Sequence, residues 1–194
     1  MKLTTKNIFI KEGDFFLNNK NQQRIMVATQ TLILTSKQIQ QKINRIAYEI
    51  YENNYDEKEI IIAGIADNGY FLAKRIADVL KKIAEIEIKL ISIKIDKKNP
   101  LSEEIKIDLT EKELKNKVIV LVDDVLNSGK TMMFGAKPFL TTPVKRLITA
   151  VLVDRGHNRY PIKADFVGLS LSTTLREHIT VEIDKAGKEA VYLS

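Results

Sequence analysis

A short aliphatic run that stops at two carboxylates, Val118-Ile119-Val120-Leu121-Val122 followed by Asp123-Asp124, constrains this chain more than any other stretch. A continuous apolar run of this length, rich in β-branched residues, suits a strand covered on both faces, as in the middle of a parallel sheet. Parallel neighbours need crossover connections, so the run predicts an α/β architecture. Open parallel sheets take ligands outside the carboxyl ends of their strands, where Asp123 and Asp124 are expected to stand. Ionised carboxylates accept hydrogen bonds and donate none, which suits paired hydroxyls or, through water, a divalent cation. Asn127-Ser128-Gly129-Lys130-Thr131 follows and opens a predicted helix. Its glycine, hydroxyls and backbone N–H groups are the chemistry of a phosphate cradle. Together the two pieces describe a site for a phosphorylated ribose.

Three other readings of this stretch compete. Gly129-Lys130-Thr131 could close a Walker A loop, but that motif needs a glycine where this chain has Asp124, and a carboxylate there repels phosphates. A phosphorylated receiver domain also has an acidic pair after a strand, near its beginning, with most of its strands and helices downstream; here too little chain remains. An ordinary strand-to-helix turn with polar cap residues is the third. It accounts for a lone Asp-Asp better than for the full pattern.

Asp123-Asp124 with Asn127 to Thr131 resembles the phosphoribosyl pyrophosphate (PRPP) signature of type I phosphoribosyltransferases. The stretch from Val151 to His157, with Pro161 to Gly168, is similar to one branch, the pyrimidine operon attenuation regulators with uracil phosphoribosyltransferase activity. Arg45 to Ile50 resembles that branch's first helix, and the likeness covers roughly residues 30 to 183. The resemblance implies the type I phosphoribosyltransferase fold, a central mainly parallel sheet flanked by helices and carrying a small hood. It implies Mg²⁺-dependent transfer of 5-phosphoribose from PRPP to a nucleobase, uracil foremost, with release of pyrophosphate and no direct protein ligand to the metal. Asp123 and Asp124 then hold the ribose hydroxyls as the catalytic pair, while Asn127, Ser128, Gly129, Lys130 and Thr131 hold the 5′-phosphate.

By the same likeness Ala66, Asp67, Asn68 and Gly69 form the pyrophosphate loop, where the branch typically carries Lys-Thr-Arg-Gly, so two positive charges are missing. A Tyr-Arg-Asp-Asp element near the family's mobile lid is absent too. Arg155, His157, Lys163 and Val167 are matched to base or RNA contacts, although Asn158 and Leu169 stand where the branch tends to carry basic residues. These departures keep a second function open, a PRPP- or nucleotide-sensing RNA-binding regulator with little or no transferase activity. A transferase for another base is the third. Family members commonly self-associate, so a homo-oligomer is implied.

Elsewhere the chain alternates strands and helices. Thr35-Ser36-Lys37-Gln38 has capping-box form, and Ile39, Ile43, Ile46, Ala47 and Ile50 repeat at helical spacing behind it. The outer residues Lys42, Asn44 and Arg45 are read as a solvated face. Ile60 to Ala63 predicts a strand, and Leu72, Ile76, Leu80 and Ile83 a helix. Ile86 to Ile95 alternates with a change of phase at Leu90-Ile91, which predicts a bulge. Asp96 to Ile107 is expected to be an exposed arm or hairpin, with Lys97 and Lys98 adding charge to a lid. Met132, Met133, Ala136, Phe139 and Leu140 predict a packed helix interrupted at Pro138. Leu147 to Val153 and Phe166 to Ser170 complete the parallel strands, and Thr173 to Ile183 forms the hood. Arg155, Arg159 and Lys163 make the best basic cluster.

Residues 1–29 are expected to be a mobile N-terminal extension, with Met26 as a candidate natural start, and residues 30–194 a single domain. A chain of 194 residues that is 44% hydrophobic can bury one substantial core. The net charge of +6 is compatible with anionic ligands and too small to specify nucleic acid. With no cysteine there is neither disulfide nor thiolate chemistry, and with no membrane-length apolar run or signal-peptide core the expectation is a cytoplasmic protein.

Overall fold

The computed structural model describes residues 30–65, 67–97, 99–102, 104–174, 176–184 and 187–194. The extension expected over residues 1–29 lies outside these residues, as do Ala66 and Lys98.

The architecture is set by five parallel strands, β2 (Glu59–Ile65), β3 (Glu87–Ile93), β4 (Val118–Leu126), β5 (Arg146–Asp154) and β6 (Phe166–Ser170). They run in the order β3-β2-β4-β5-β6, with the predicted aliphatic strand β4 in the middle. β1 (Thr31–Thr35), β7 (Ile179–Glu182) and β8 (Ala190–Leu193) form a separate antiparallel sheet in the order β1-β8-β7. This is the type I phosphoribosyltransferase fold, with the small sheet as its hood.

Helix α1 (Ser36–Glu52) begins at a reciprocal Thr35–Gln38 capping box and buries Ile39, Ile43, Ile46, Ala47 and Ile50, all five predicted positions. Together with α2 (Asn68–Ile83) it covers one face of the sheet, where Ile60, Ile62, Val118, Val120 and Val122 meet Leu72, Ile76 and Leu80. The other face is covered by α4 (Lys130–Ala136) and the 3₁₀ turn Lys137–Leu140, where Met132, Ala136 and Phe139 pack on Ile61, Ile119 and Leu121. A short helix, α3 (Glu111–Leu114), precedes β4. Pro138 stands at the start of the 3₁₀ turn, where the α-helix gives way. That tighter winding leaves Leu140 at 68% exposure, so it leaves the predicted packed face.

Two sequence expectations change. The phase change at Leu90-Ile91 is no bulge, since β3 pairs with β2 in unbroken register from Glu59↔Glu87 to Ile65↔Ile93. Ile88 and Leu90 pack into the α1/α2 layer, Ile91 and Ile93 into the opposite one, so the strand changes the layer it serves without changing its pleat. The irregularity lies instead in β1, between Leu32 and Leu34, where it pairs with β8. No hairpin occupies Asp96 to Ile107 among the described residues. The strands β1 and β8 and the single-turn helix α3 are elements the sequence analysis missed: each is only 4 or 5 residues long, and β1 acquires its partner from the opposite end of the chain.

Candidate active site

Two strands separate where the carboxylates stand. β2 pairs with β4 only as far as Gly64↔Val122, whereas β5 stays paired with β4 to Leu126↔Asp154. β4 therefore does not end at Asp123-Asp124 as expected; it loses one neighbour there. Connections run from β2 to β3 on one side and from β4 to β5 on the other, which makes this gap a topological switch point.

The side chains at the gap are closely tied. Asp123 is buried, and its Oδ1 accepts from the backbone N–H of Asp124 at 3.0 Å. Asn68, at the start of α2, donates through Nδ2 to Asp124 Oδ2 at 3.0 Å and to the Val181 carbonyl of β7 at 2.8 Å. One amide thus joins the β2–α2 loop, the acidic pair and the hood. Gly69 lies against the pair so closely that an added Cβ would sit 2.9 Å from Asp123 Oδ1 and 3.0 Å from its Cα. Asp67 precedes the helix, exposed and with no side-chain capping bond. Lys97, on the segment leaving β3, places Nζ 3.0 Å from Asp123 Oδ1 and 3.4 Å from Asp124 Oδ1.

These contacts divide the titration of the two acids. Burial pushes Asp123 up to about 8, helped by the Asp124 charge and opposed by Lys97. Burial acts on Asp124 in the same direction, but the Lys97 charge and the bonds from Asp123 and Asn68 outweigh it and hold Asp124 below the usual carboxylate range. Lys97 is held above its usual value because two carboxylates overcome its desolvation. The pair has one firmly ionised acceptor and one protonatable neighbour.

The loop after β4 is braced from behind. Gly129 adopts φ +80°, and a Cβ there would meet Ile162 Cγ2 at 2.7 Å, so only glycine satisfies both the backbone and the space. The Ser128 carbonyl accepts from the backbone N–H groups of Arg159 at 2.9 Å and Tyr160 at 3.0 Å. Ser128 Oγ accepts from Lys130 N at 3.3 Å, while Asn127 is exposed and Thr131 half-buried. A turn of this kind directs successive N–H groups toward an anion.

Arg155 leaves the exposed basic cluster in which the sequence placed it. It is 4% exposed. Its guanidinium donates to Asn127 Oδ1 at 3.1 Å, Thr173 Oγ1 at 3.0 Å, the Thr174 carbonyl at 3.2 Å and the Glu177 carbonyl at 2.6 Å. With its planar donors used within the protein, it clamps the β4–α4 loop to the segment entering the hood and offers no surface to RNA. Arg159 and Lys163 remain exposed. The Lys163 carbonyl accepts from Thr149, a residue paired with Leu121 and so set back from the acids along the sheet. His157 Nε2 lies 2.7 Å from the Thr173 carbonyl. Val167 pairs with Val151, itself opposite Asp123, and its carbonyl is hydrogen-bonded by Arg45.

Asp123, Asp124, Asn68 and Gly69 therefore form one cluster with Lys97, and Asn127 to Thr131 follow beyond the end of β4, leading into α4. A phosphoribosyl transferase domain model matches residues 29–185. The chain belongs to the phosphoribosyltransferase family. Among the chain's relatives, the Bifunctional protein PyrR of Macrococcus caseolyticus is 34% identical over 169 residues, 84% of this chain and 97% of that protein. The Bifunctional protein PyrR of Clostridium kluyveri is 36% identical over 163 residues, 81% and 92% of the respective chains. A crystal structure of a hypoxanthine-guanine phosphoribosyltransferase from Bacillus anthracis shares the fold with a TM-score of 0.64 at 18% identity, covering 83% of this chain and 95% of that one. Among the described residues no helix is long and apolar enough to cross a membrane.

Sequence reasoning found the acids and the glycine because they are contiguous. It missed what Lys97, Arg155 and Asn68 do, since their partners are 26 or more residues away in three cases: Asp123 for Lys97, Asn127 for Arg155 and Asp124 for Asn68, at separations of 26, 28 and 56. No local pattern marks such contacts.

Proposed function

We propose that this protein transfers 5-phosphoribose from PRPP to a nitrogen of a nucleobase, uracil first among the candidates, with pyrophosphate leaving. The observation that carries this reading is the switch-point gap, where the Asp123–Asp124 pair adjoins a braced loop with Gly129 in the left-handed region. Asp124 and Asp123 accept from the ribose hydroxyls, and the N–H groups and hydroxyls of Asn127 to Thr131 take the 5′-phosphate. Ala66 to Gly69 face the pyrophosphate. As bond breaking leaves C1 electron-poor, the carboxylates stabilise the developing positive charge, and fixing the sugar at two ends orients C1 toward the base. No covalent intermediate on the protein is needed. His157, Lys163 and Val167 belong to the base or RNA side of the same reading, with Arg155 holding that side to the phosphate loop.

Among the described residues there is no group of three or more His, Asp or Glu side chains able to cage a metal ion. Asp123 and Asp124 still fit a hydrated divalent cation carried by the substrate's own oxygens, the usual manner of Mg²⁺ at phosphates. Bound there, Mg²⁺ would neutralise pyrophosphate.

A second reading is favoured by one observation, the absence of basic side chains from Ala66 to Gly69. In it the protein binds PRPP or a nucleotide, has little or no transferase activity, and regulates pyrimidine genes through RNA. Self-association and a cytoplasmic location belong to both readings. Titration of PRPP and Mg²⁺ with pyrophosphate release measured for uracil and other bases separates them: release with uracil supports the transferase, and binding with no release for any base supports the regulator.

A further inference from the structure

The acidic pair carries its own counter-ion. Lys97 Nζ bridges Asp123 Oδ1 and Asp124 Oδ1, while the second oxygen of Asp124 accepts from Asn68. One carboxylate therefore holds the ammonium beside the β2–α2 loop, which supplies no cation from Ala66 to Gly69. Lys97 and Asp67 also line a common cavity of about 870 Å³ between α2 and the segment after β3. Among the described residues the three lysines lining it, Lys94, Lys97 and Lys106, are matched by Asp67, Asp96 and Glu104. The lysine already seated at the acids is the one placed to meet an anionic leaving group.

The Lys97 side chain is 40% exposed and sits on a flexible four-carbon stem, so its head group can turn without disturbing the core. A ligand that uses both carboxylates must also share or displace the ammonium there. Resting on the function proposed above, we propose that Lys97 is this chain's pyrophosphate-handling cation: it neutralises the Asp123–Asp124 pair in the free protein and turns to the pyrophosphate of bound PRPP. Its charge supplies from the segment after β3 what the β2–α2 loop lacks.

The test compares PRPP with ribose 5-phosphate, which has the same sugar and 5′-phosphate but no pyrophosphate, by titration calorimetry of the full chain with Mg²⁺. Lys97→Ala should weaken PRPP about tenfold or more, the usual scale of one charge-assisted hydrogen bond, and leave ribose 5-phosphate unchanged or tighter. Lys97→Arg should retain PRPP binding within a few-fold. Equal weakening of both ligands by Lys97→Ala overturns the inference in favour of a purely structural contact. Tighter or unchanged PRPP binding overturns it as well, leaving Lys97 as a plug or a bystander. Binding of both ligands by the wild type with PRPP affinity unchanged in Lys97→Ala refutes Lys97 alone, whereas a wild type that binds neither refutes the proposed function and Lys97 with it.

Discussion

The loops that follow β2 and β4 leave neighbouring parallel strands at the same edge of the sheet and meet at the acidic pair. The β4 loop makes its binding surface out of backbone. Its shape is imposed by Gly129 at φ +80°, by two N–H groups on the Ser128 carbonyl and by Arg155 on Asn127. The β2 loop is pressed onto the acids through Gly69 and Asn68 and brings no positive side chain of its own. A backbone cradle can be complete within one contiguous stretch. Charge can be supplied from any element that reaches the same point, as Lys97 does from beyond β3.

The comparison breaks most severely at the backbone cradle. Gly129→Val forces a β-branched residue into positive φ and against Ile162, and it should lower stability by about 1–3 kcal/mol. PRPP affinity should fall about 100-fold or more, because the N–H groups lose their convergence; calorimetry and a thermal melt read both. Asp124→Asn keeps the size of the side chain and removes its charge. It should weaken PRPP by about 10- to 100-fold, the scale of hydrogen bonds to a charged group, with the unfolding midpoint shifted by only a few degrees.

The sequence showed the first loop better than the second for a physical reason. Strand β4, its acids and Gly129 are consecutive, and the apolar positions of α1 and α2 follow helical spacing, so period and motif sufficed. Arg155 looked like part of a basic surface because charge is visible in a sequence and burial is not; its partners lie at Asn127 and from Thr173 to Glu177. The hood was recognisable only around β7, since β1 pairs with β8 about 160 residues later, Thr31 with Leu193. The phase change in β3 was visible, yet it recorded a change of packing layer.

Gly69→Ala sharpens the comparison from the other side. The added Cβ would press on Asp123 and on the Val122 carbonyl at 3.0 Å, so stability should fall by about 1–2 kcal/mol and PRPP affinity by a few-fold, measured by the same melt and titration. A change confined to affinity would mean that the loop yields without disturbing the sheet.

The pH dependence of the acids themselves probes the pair without ligand. Asp123 rises from an ordinary 3.8 to about 8 on folding, so the folded protein holds a proton that the unfolded chain releases between those values. Its contribution to stability is complete below the ordinary value and is lost as pH rises through about 8, with a slope of at most about 1.4 kcal/mol per pH unit. Thermal melts across this window should show the midpoint of the ligand-free protein falling with pH, and Asp123→Asn should flatten that fall. A slope identical in protein and variant would return Asp123 to an ordinary carboxylate.

The central claim is tested most directly by one preparation given PRPP, Mg²⁺ and uracil, with PRPP binding and pyrophosphate release followed together. The account predicts saturable PRPP binding and release of one pyrophosphate for each nucleotide formed. Absence of both binding and release, in a protein shown by its melt to be folded, would contradict it.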